Sequence, residues 1–173
     1  MKYFIGFWER LCGMLGLSLS FNTSTEKMHN RAIKLAHKGN GESKFLESMI
    51  IWIDITASRY WWCQLDTYRI ATKQSQSTMH TITKRHLQQS DFENPVPEHF
   101  LEELNARIDS KDLEGVKNIL PEGFLQRRIL CCSYKTFQNM YFQRKTHKLP
   151  EWSKFLDTIV EQLDHPEFVV KSE

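Results

Sequence analysis

The segment 45–65, FLESMIIWIDITASRYWWCQL, constrains the fold more than any other part of the chain. Its first part is rich in isoleucine and carries a tryptophan, and residues of these types favour a buried β-strand. The part that follows, RYWWCQLDTYRI, has the composition of a helix with one apolar face. The sequence therefore predicts a buried strand over 45–58 and a helix over 59–70, with Gln64 and Arg69 on the polar face of that helix.

A hydroxyl-rich segment, TYRIATKQSQSTMH at 67–80, overlaps the end of this helix. It contains neither glycine nor proline, so its composition differs from that of an ordinary solvated linker. Arg69 and Lys73 supply positive charge beside serine and threonine hydroxyls, and such groups together with loop amides favour an anion-binding concavity. We predict a loop that forms one wall of a pocket for a polar, anionic ligand. The alternative is that the hydroxyls cap turns.

The remaining segments predict an α+β domain with three strands at most and about six helices. Helices are expected over 24–38, 97–109, 110–119 and 134–148 and from Pro150 onward, with a further strand within 120–133 and a polar connector over 87–96. The chain of 173 residues is long enough for one sizeable core. We therefore expect a single domain over 1–173.

Charge and cysteine usage narrow the functional classes. The net charge of +2 disfavours a nucleic-acid polymer as partner, because such a partner needs a broad basic face. The chain contains four cysteines, which are Cys12, Cys63, Cys131 and Cys132. They form no CxxC pair, and His80 and His86 lack the glutamate of an HExxH motif, so no metal site is expected. We predict reduced thiols and a cytoplasmic location.

The first 21 residues, MKYFIGFWERLCGMLGLSLSF, are apolar enough to suggest a signal peptide or an anchor. However, Glu9 and Arg10 interrupt the run, and the uninterrupted apolar piece is too short to span a bilayer. We expect a core strand followed by a buried turn or helix, and no membrane partner. An amphipathic helix on a membrane surface is the alternative.

Two blocks of the sequence resemble the flavin-dependent thymidylate synthases, the ThyX family. In block 41–80, the segment GES, the predicted strand and helix, and TYRIATKQSQSTMH stand in one order. The family has in that order a Gly-His-Glu segment, a strand, a helix with Gln and the signature RHRxxSxNExSxRY. Block 118–152, which begins NILPEGFLQRRILCCS, resembles the family's Leu-Pro turn, Arg, strand and helix with Asn and Arg. The blocks cover a little under half the chain, and the resemblance implies a ThyX-like α+β fold.

The resemblance and the hydroxyls of the polar segment together assign nucleotide binding to a set of residues. These are Gln64, Arg69, Thr72, Ser75, Ser77, Arg127 and Arg144. Arg127 and Arg144 lie on two family arginines that bind the phosphate and base of dUMP, and a guanidinium forms forked contacts with phosphate. Without the resemblance, both would be taken as surface arginines. Asn139 lies on an Asn of the family's flavin-side helix and is the residue assigned to a cofactor.

Other positions depart from the family. Thr67 and Tyr68 replace the first Arg and the His of RHR, and Glu42 stands where the family has a flavin-contacting His. Each lost charge-assisted hydrogen bond is worth about 1.5–3 kcal/mol, and the carboxylate of Glu42 would repel a phosphate. The sequence therefore predicts that no cofactor is bound.

A homo-oligomer is expected on two grounds. The resemblance implies a homotetramer in which subunits share each nucleotide site. In addition, the apolar segments SRYWWCQL at 58–65 and YFIGFW at 3–8 offer more large apolar surface than one core of this size hides.

The sequence-based hypothesis is a nucleotide-binding protein of ThyX-like fold that has lost flavin catalysis. It would capture or sequester a phosphorylated nucleotide, for example a cyclic dinucleotide signal, which is a use suited to a viral protein. One alternative is an active flavin-dependent thymidylate synthase, or a dUMP-modifying relative, with FAD as cofactor. The other is a scaffold without a ligand. No Ser-His-Asp or Cys-His arrangement points to other catalysis, and no catalytic residue is assigned.

Overall fold

The computed structural model describes residues 25–39 and 41–171. The helices are α1 Thr25–Ala36, α2 Arg59–Leu65, α3 Thr78–Thr81, α4 Glu98–Asp109, α5 Leu113–Ile119, α6 Tyr134–Arg144 and α7 Pro150–Val160. The strands are β1 Ile50–Ser58, β2 Thr72–Ser75 and β3 Leu125–Ser133, which form one sheet in the order β1–β3–β2. Short 3-10 helices lie at Lys44–Glu47, Gln89–Asp91 and Pro166–Phe168. The predicted α+β class is confirmed.

The predicted helices are present, and most are shorter than the sequence suggested. The helix expected over 59–70 ends at Leu65, and the one expected over 134–148 ends at Arg144. The predicted core strand within the first 21 residues lies outside the described residues, as does Cys12. Within 25–39 and 41–171, no helix combines the length and the apolar character that a membrane crossing requires.

The hydroxyl-rich segment is not a simple loop, and that prediction was wrong. Residues 72–75 form strand β2 at the edge of the sheet beside β3, and residues 78–81 form the short helix α3. The backbone amide of Gln76 donates to the carbonyl of Arg127, at 3.0 Å. Pairing with the central strand orders this segment although three of the four side chains of β2 are exposed and give no alternating apolar pattern.

Contacts divide the chain into two compact units. The first unit contains the described residues up to 53, residues 70–72 and those from 130 onward, and the second contains 54–69 and 73–129. Strands β1 and β3 each contribute residues to both units. The expected single domain over 1–173 stays a prediction.

A buried glutamine joins three elements of the first unit. Gln138, on α6, is 3% exposed. Its Nε2 donates to the carbonyl of Ala36 at the end of α1, at 2.9 Å, and to the carbonyl of Phe168, at 2.8 Å. Its Oε1 accepts from Nζ of Lys135, at 3.0 Å. Both ends of the amide are therefore satisfied, as a buried polar group requires.

The apolar core of the first unit includes one face of α7. Trp152, Phe155, Leu156 and Ile159 are buried at the spacing of successive helical turns. The Trp152 and Phe155 rings are 5.9 Å apart between centroids, and Phe137 of α6 lies 6.2 Å from Phe155. Trp152 therefore lies in the core of the first unit.

The second unit has its own core between α4, α5 and the connector 87–96. Its buried members are Ile82, Leu87, Phe92, Leu101, Leu104, Ile108, Val116, Leu120 and Phe124. The side chain of Asn105 on α4 accepts from the backbone amide of Leu87, at 2.8 Å, and donates to its carbonyl, at 3.1 Å. These bonds hold the polar connector against α4.

An aspartate starts α5, the helix that carries Lys117. Asp112 is its N-cap, and its Oδ1 accepts from the backbone amide of Gly115, at 2.8 Å. A Cβ at position 115 would lie 1.9 Å from Oδ2 of Asp112, so only glycine leaves room for this cap.

Trp61 and Trp62 on α2 are 2% and 0% exposed within the chain. Segment 58–65 therefore does not offer the large apolar surface that was expected of it, because the chain itself buries both indoles and Leu65. The other apolar segment, 3–8, lies outside the described residues. The homotetramer stays a prediction.

We predict that Gln138→Leu lowers the free energy of unfolding of the full chain by about 1–3 kcal/mol, because two buried carbonyls lose their donor. Urea denaturation followed by circular dichroism measures the change. Asn139→Leu is the matched control, since Asn139 is exposed on the same helix. Equal stability of Gln138→Leu and wild type would show that the amide does not join these elements.

Candidate functional site

Two clefts that share Gln126 indent the second unit. One has a volume of about 310 Å³ and is lined by Thr78, Arg85, Asp91 and Arg127 among others; we call it the Arg127 cleft. The other has a volume of about 280 Å³ and is lined by Arg59, Cys63, Lys117, Glu122 and Arg128 among others; we call it the Lys117 cleft. Both volumes are near the lower limit for sites that hold small molecules.

Arg59 is the first residue of α2, and the segment before β3 fixes its side chain. Its Nη1 donates to the carbonyl of Leu120, at 2.6 Å, and its Nη2 lies 3.3 Å from Oε1 of Glu122. The backbone amide of Arg59 donates to the carbonyl of Phe124, at 3.1 Å. These contacts orient the guanidinium at the Lys117 cleft.

Lys117 lies on α5, and its ammonium contacts the hydroxyl-rich segment. Its Nζ donates to Oγ1 of Thr78, at 2.7 Å. Burial, and then the positive charge of Arg59, lower the pKa of Lys117. In the described part of the chain, no carboxylate lies within ion-pair distance of this ammonium. A bound anion would offset both effects that destabilise its charged form.

Arg128 lines the same cleft from β3 and is held by several contacts. Its Nη2 donates to Oε1 of Gln126, at 2.8 Å, and its Nη1 lies 3.1 Å from Oδ2 of Asp66. Its guanidinium carbon is 4.6 Å from the centroid of the buried Trp62 ring. Its Nε is buried and has no hydrogen-bond acceptor among the described residues. Stacking on the indole orients the guanidinium plane.

The Lys117 cleft therefore carries excess positive charge. Three cationic side chains line it, against the single carboxylate of Glu122. Asp66, which pairs with Arg128, also pairs with Lys73, whose Nζ lies 3.4 Å from Oδ1 of Asp66. Charge-assisted hydrogen bonds to a phosphate are strongest where the donors are already held in place and partly desolvated. This arrangement suits a small anion.

The Arg127 cleft is electrically balanced. Nε of Arg127 donates to Oδ1 of Asp54, at 2.9 Å, and Nη1 of Arg85 donates to Oδ2 of Asp91, at 2.7 Å. The Arg127 guanidinium holds the pKa of Asp54 below its usual range, and Arg85 does the same for Asp91. An anion that enters this cleft must compete with a carboxylate for each guanidinium.

The structure distributes the sequence-predicted nucleotide-binding residues over both units. Gln64, Arg69, Ser75, Ser77 and Arg127 belong to the second unit, whereas Thr72 and Arg144 belong to the first. In the polar segment, the side chains of Thr72, Ser75 and Ser77 are exposed, as is Arg69, and Gln64 is half-buried. Among the hydroxyls of this segment, it is that of Thr78 that contacts the Lys117 ammonium. Nucleotide binding by the predicted residues stays a prediction.

Helix α6, in the first unit, carries Arg144 and Asn139. Arg144 stacks on the Trp152 ring, with its guanidinium carbon 5.2 Å from the centroid. Asn139 is exposed, and its assignment to a flavin stays a prediction. Glu42, at the position of the family's flavin-contacting His, pairs with Lys38 at 3.2 Å.

Neither Arg59 nor Lys117 was assigned a role from the sequence, although the position of Arg59 offered a usable signal. Arg59 stands at the junction between strand β1 and helix α2, and β1 lies at the edge of the sheet. Lys117 stands three residues before the turn formed by Leu120 and Pro121, one residue ahead of the block 118–152. Both residues line the Lys117 cleft and flank the segments that supply its other lining residues.

No protein-family model and no curated protein matches this sequence. Among solved structures, flavin-dependent thymidylate synthase ThyX from Helicobacter pylori complexed with FAD and dUMP is similar, with a TM-score of 0.72 and 16% identity. The match covers 94% of this chain and 91% of that chain. A second Helicobacter pylori ThyX structure with FAD and dUMP has the same TM-score and identity, and the match covers 94% of this chain and 90% of that one. The chain therefore has the ThyX fold, and the fold that the resemblance implied is confirmed.

We predict that Arg59→Gln raises the pKa of Lys117, because it removes the nearby positive charge. Inorganic phosphate should raise that pKa in the wild type by binding beside the ammonium. NMR detection of the lysine side-chain amines during a pH titration measures both effects. Arg85→Gln, a change in the other cleft, is the control and should have no effect. A Lys117 pKa that neither Arg59→Gln nor phosphate alters would contradict the proximity of these charges.

Proposed function

We propose that this chain binds the phosphate of a nucleotide in the Lys117 cleft. The observation that carries the proposal is the Lys117 ammonium, which is bonded to Thr78, repelled by Arg59, and without a carboxylate among the described residues. A phosphate is the common biological anion that accepts bonds from an ammonium, a guanidinium and a hydroxyl together. Arg128 adds a second guanidinium to the same cleft.

A nucleotide is supported over a free phosphate by the fold and by the surroundings of the cleft. The similar Helicobacter pylori structures contain dUMP. The Arg127 cleft lies beside the Lys117 cleft, with Gln126 lining both, and offers polar and apolar groups for a sugar and a base. The two volumes, about 310 and 280 Å³, are suited to a ligand of that size.

The resemblance supports Arg127 and Arg144 as further phosphate or base contacts, and it supports nucleotide binding by Gln64, Arg69, Thr72, Ser75 and Ser77. For Arg127 the ligand has to compete with Asp54, which accepts from Nε and Nη2 of the guanidinium. Lys117 requires no such exchange, because no described carboxylate occupies it. We therefore assign the phosphate to the Lys117 cleft, and the Arg127 cleft is the competing site.

We further propose that the chain captures the nucleotide without flavin chemistry. Thr67, Tyr68 and Glu42 support this, because none supplies the cationic donors that a flavin pyrophosphate needs. Glu42 is engaged by Lys38, and the Thr67 hydroxyl donates to the carbonyl of Gln64, at 2.8 Å. Sequestration of a signalling nucleotide such as a cyclic dinucleotide, by a homotetramer, fits this reading. The alternative is a flavin enzyme acting on dUMP, which the FAD in the similar structures favours.

We predict that Lys117→Ala weakens dUMP binding about tenfold or more, because one charge-assisted bond to the phosphate is worth about 1.5–3 kcal/mol. Arg59→Ala should have an effect of similar size. Isothermal titration calorimetry on the full chain measures the affinities. Deoxyuridine, which lacks the phosphate, should bind wild type and Lys117→Ala equally. A cyclic dinucleotide titrated in the same way tests the signalling ligand.

Lys84→Ala is the matched control for charge, since Lys84 is an exposed lysine of the same unit. It should bind dUMP as wild type does. If Arg127→Ala abolishes binding while Lys117→Ala does not, the phosphate belongs to the Arg127 cleft. If all of these variants bind like wild type, neither cleft is the nucleotide site.

We predict that the purified full chain carries no flavin and does not oxidise NADPH in the presence of dUMP and added FAD. The visible absorption spectrum and an NADPH assay measure this. Flavin at about one per chain, or formation of dTMP, would instead establish the alternative function.

A further inference from the structure

Three potential metal ligands meet in the first unit. His29 projects from α1, and His165 and Glu167 belong to the segment that contains the last 3-10 helix. Nε2 of His29 lies 3.1 Å from Oε1 of Glu167, and Nδ1 of His165 lies 3.1 Å from the same oxygen. All the potential ligand atoms lie within 4.8 Å of one another.

These separations are close to those of a metal site. Zinc binds histidine nitrogen and carboxylate oxygen at about 2.0–2.2 Å, so two ligands of a tetrahedral ion are about 3.3 Å apart. Two of the three separations in this cluster are already near that value. The two histidine nitrogens lie within 4.8 Å of each other, so they need to approach by at most about 1.5 Å for an ion to contact all three groups.

The surroundings hold the three groups while leaving them accessible. The ring of Phe168 lies 5.0 Å from that of His165 and 5.6 Å from that of His29, between centroids. The carbonyl of Glu167 accepts from Nε2 of His37, at 2.8 Å, which fixes the backbone of the segment. The side chains of His29, His165 and Glu167 are 40%, 42% and 24% exposed, so an ion can enter from solvent.

We propose that His29, His165 and Glu167 bind one divalent transition-metal ion of the zinc class. Two imidazoles and one carboxylate form a ligand set that zinc accepts, with a water in the fourth position. The ion would tie α1 to the C-terminal segment and thereby stabilise the first unit. These ligands come from distant parts of the sequence and form neither a CxxC pair nor an HExxH motif, so no local pattern indicated a metal site.

The test uses the full chain without a histidine tag, freed of metal with EDTA. Isothermal titration calorimetry with Zn²⁺ should show one ion per chain, and Zn²⁺ should raise the melting temperature. Co²⁺ bound in place of Zn²⁺ should give the visible absorption of a tetrahedral cobalt site. His29→Ala and Glu167→Gln should each weaken Zn²⁺ binding about tenfold or more, since even partners outside the ligand shell change metal affinity about 10–100-fold.

His86→Ala is the matched control. Its ring also contacts a carboxylate, Oδ1 of Asp109 at 2.7 Å, but this is a pair and lies in the second unit. This variant should bind Zn²⁺ as wild type does. Circular dichroism confirms that each variant is folded, and His165→Ala replaces His29→Ala if the latter unfolds. Wild-type affinity in Glu167→Gln and in a folded histidine variant, or no binding at one ion per chain, overturns the proposal.

Discussion

The docking of segment 120–126 against the first turn of α2 is the interaction on which the second unit depends. The first amides of a helix have no partner within the helix, and Ser58 supplies no side-chain cap to α2. Instead, the amides of Arg59 and Tyr60 donate to the carbonyls of Phe124 and Glu122, at 3.1 and 3.2 Å. The indole of Trp62 donates to the carbonyl of Gln126, at 3.0 Å. These backbone contacts cap α2 and place the start of β3 beside it. Arg59, Lys117 and Arg128 thereby line the Lys117 cleft.

The elements that bury apolar side chains could be predicted from the sequence. Strand β2, which is held by backbone hydrogen bonds to β3, could not. The isoleucines of β1 and the apolar face of α7 give periodic signals that survive in the structure. Strand β2 has no such signal, because it lies at the edge of the sheet and exposes most of its side chains. The resemblance in 41–80 and 118–152 supplied the fold, which the two Helicobacter pylori structures confirm at 16% identity.

The charged site was harder to predict, because ion pairs between residues distant in the sequence decide which cations remain available to a ligand. Arg127 is neutralised by Asp54, 73 residues away, and no local pattern shows that pair. Lys117 occupies an ordinary position on a short helix, and only the fold reveals that it meets Thr78 and Arg59 rather than a carboxylate. The sequence did indicate that the hydroxyl-rich segment faces a cation. It predicted a loop where the structure has strand β2 and helix α3, and it assigned Arg127 and Arg144 rather than Arg59 to the phosphate, an assignment that stays a prediction.

A crystal structure of the full chain with dUMP would distinguish the two clefts as phosphate sites. We expect phosphate oxygens within hydrogen-bonding distance of Nζ of Lys117 and of the Arg59 guanidinium, with Asp54 still paired to Arg127. A phosphate bound to Arg127 in place of Asp54, with no ligand atom in the Lys117 cleft, would contradict this expectation.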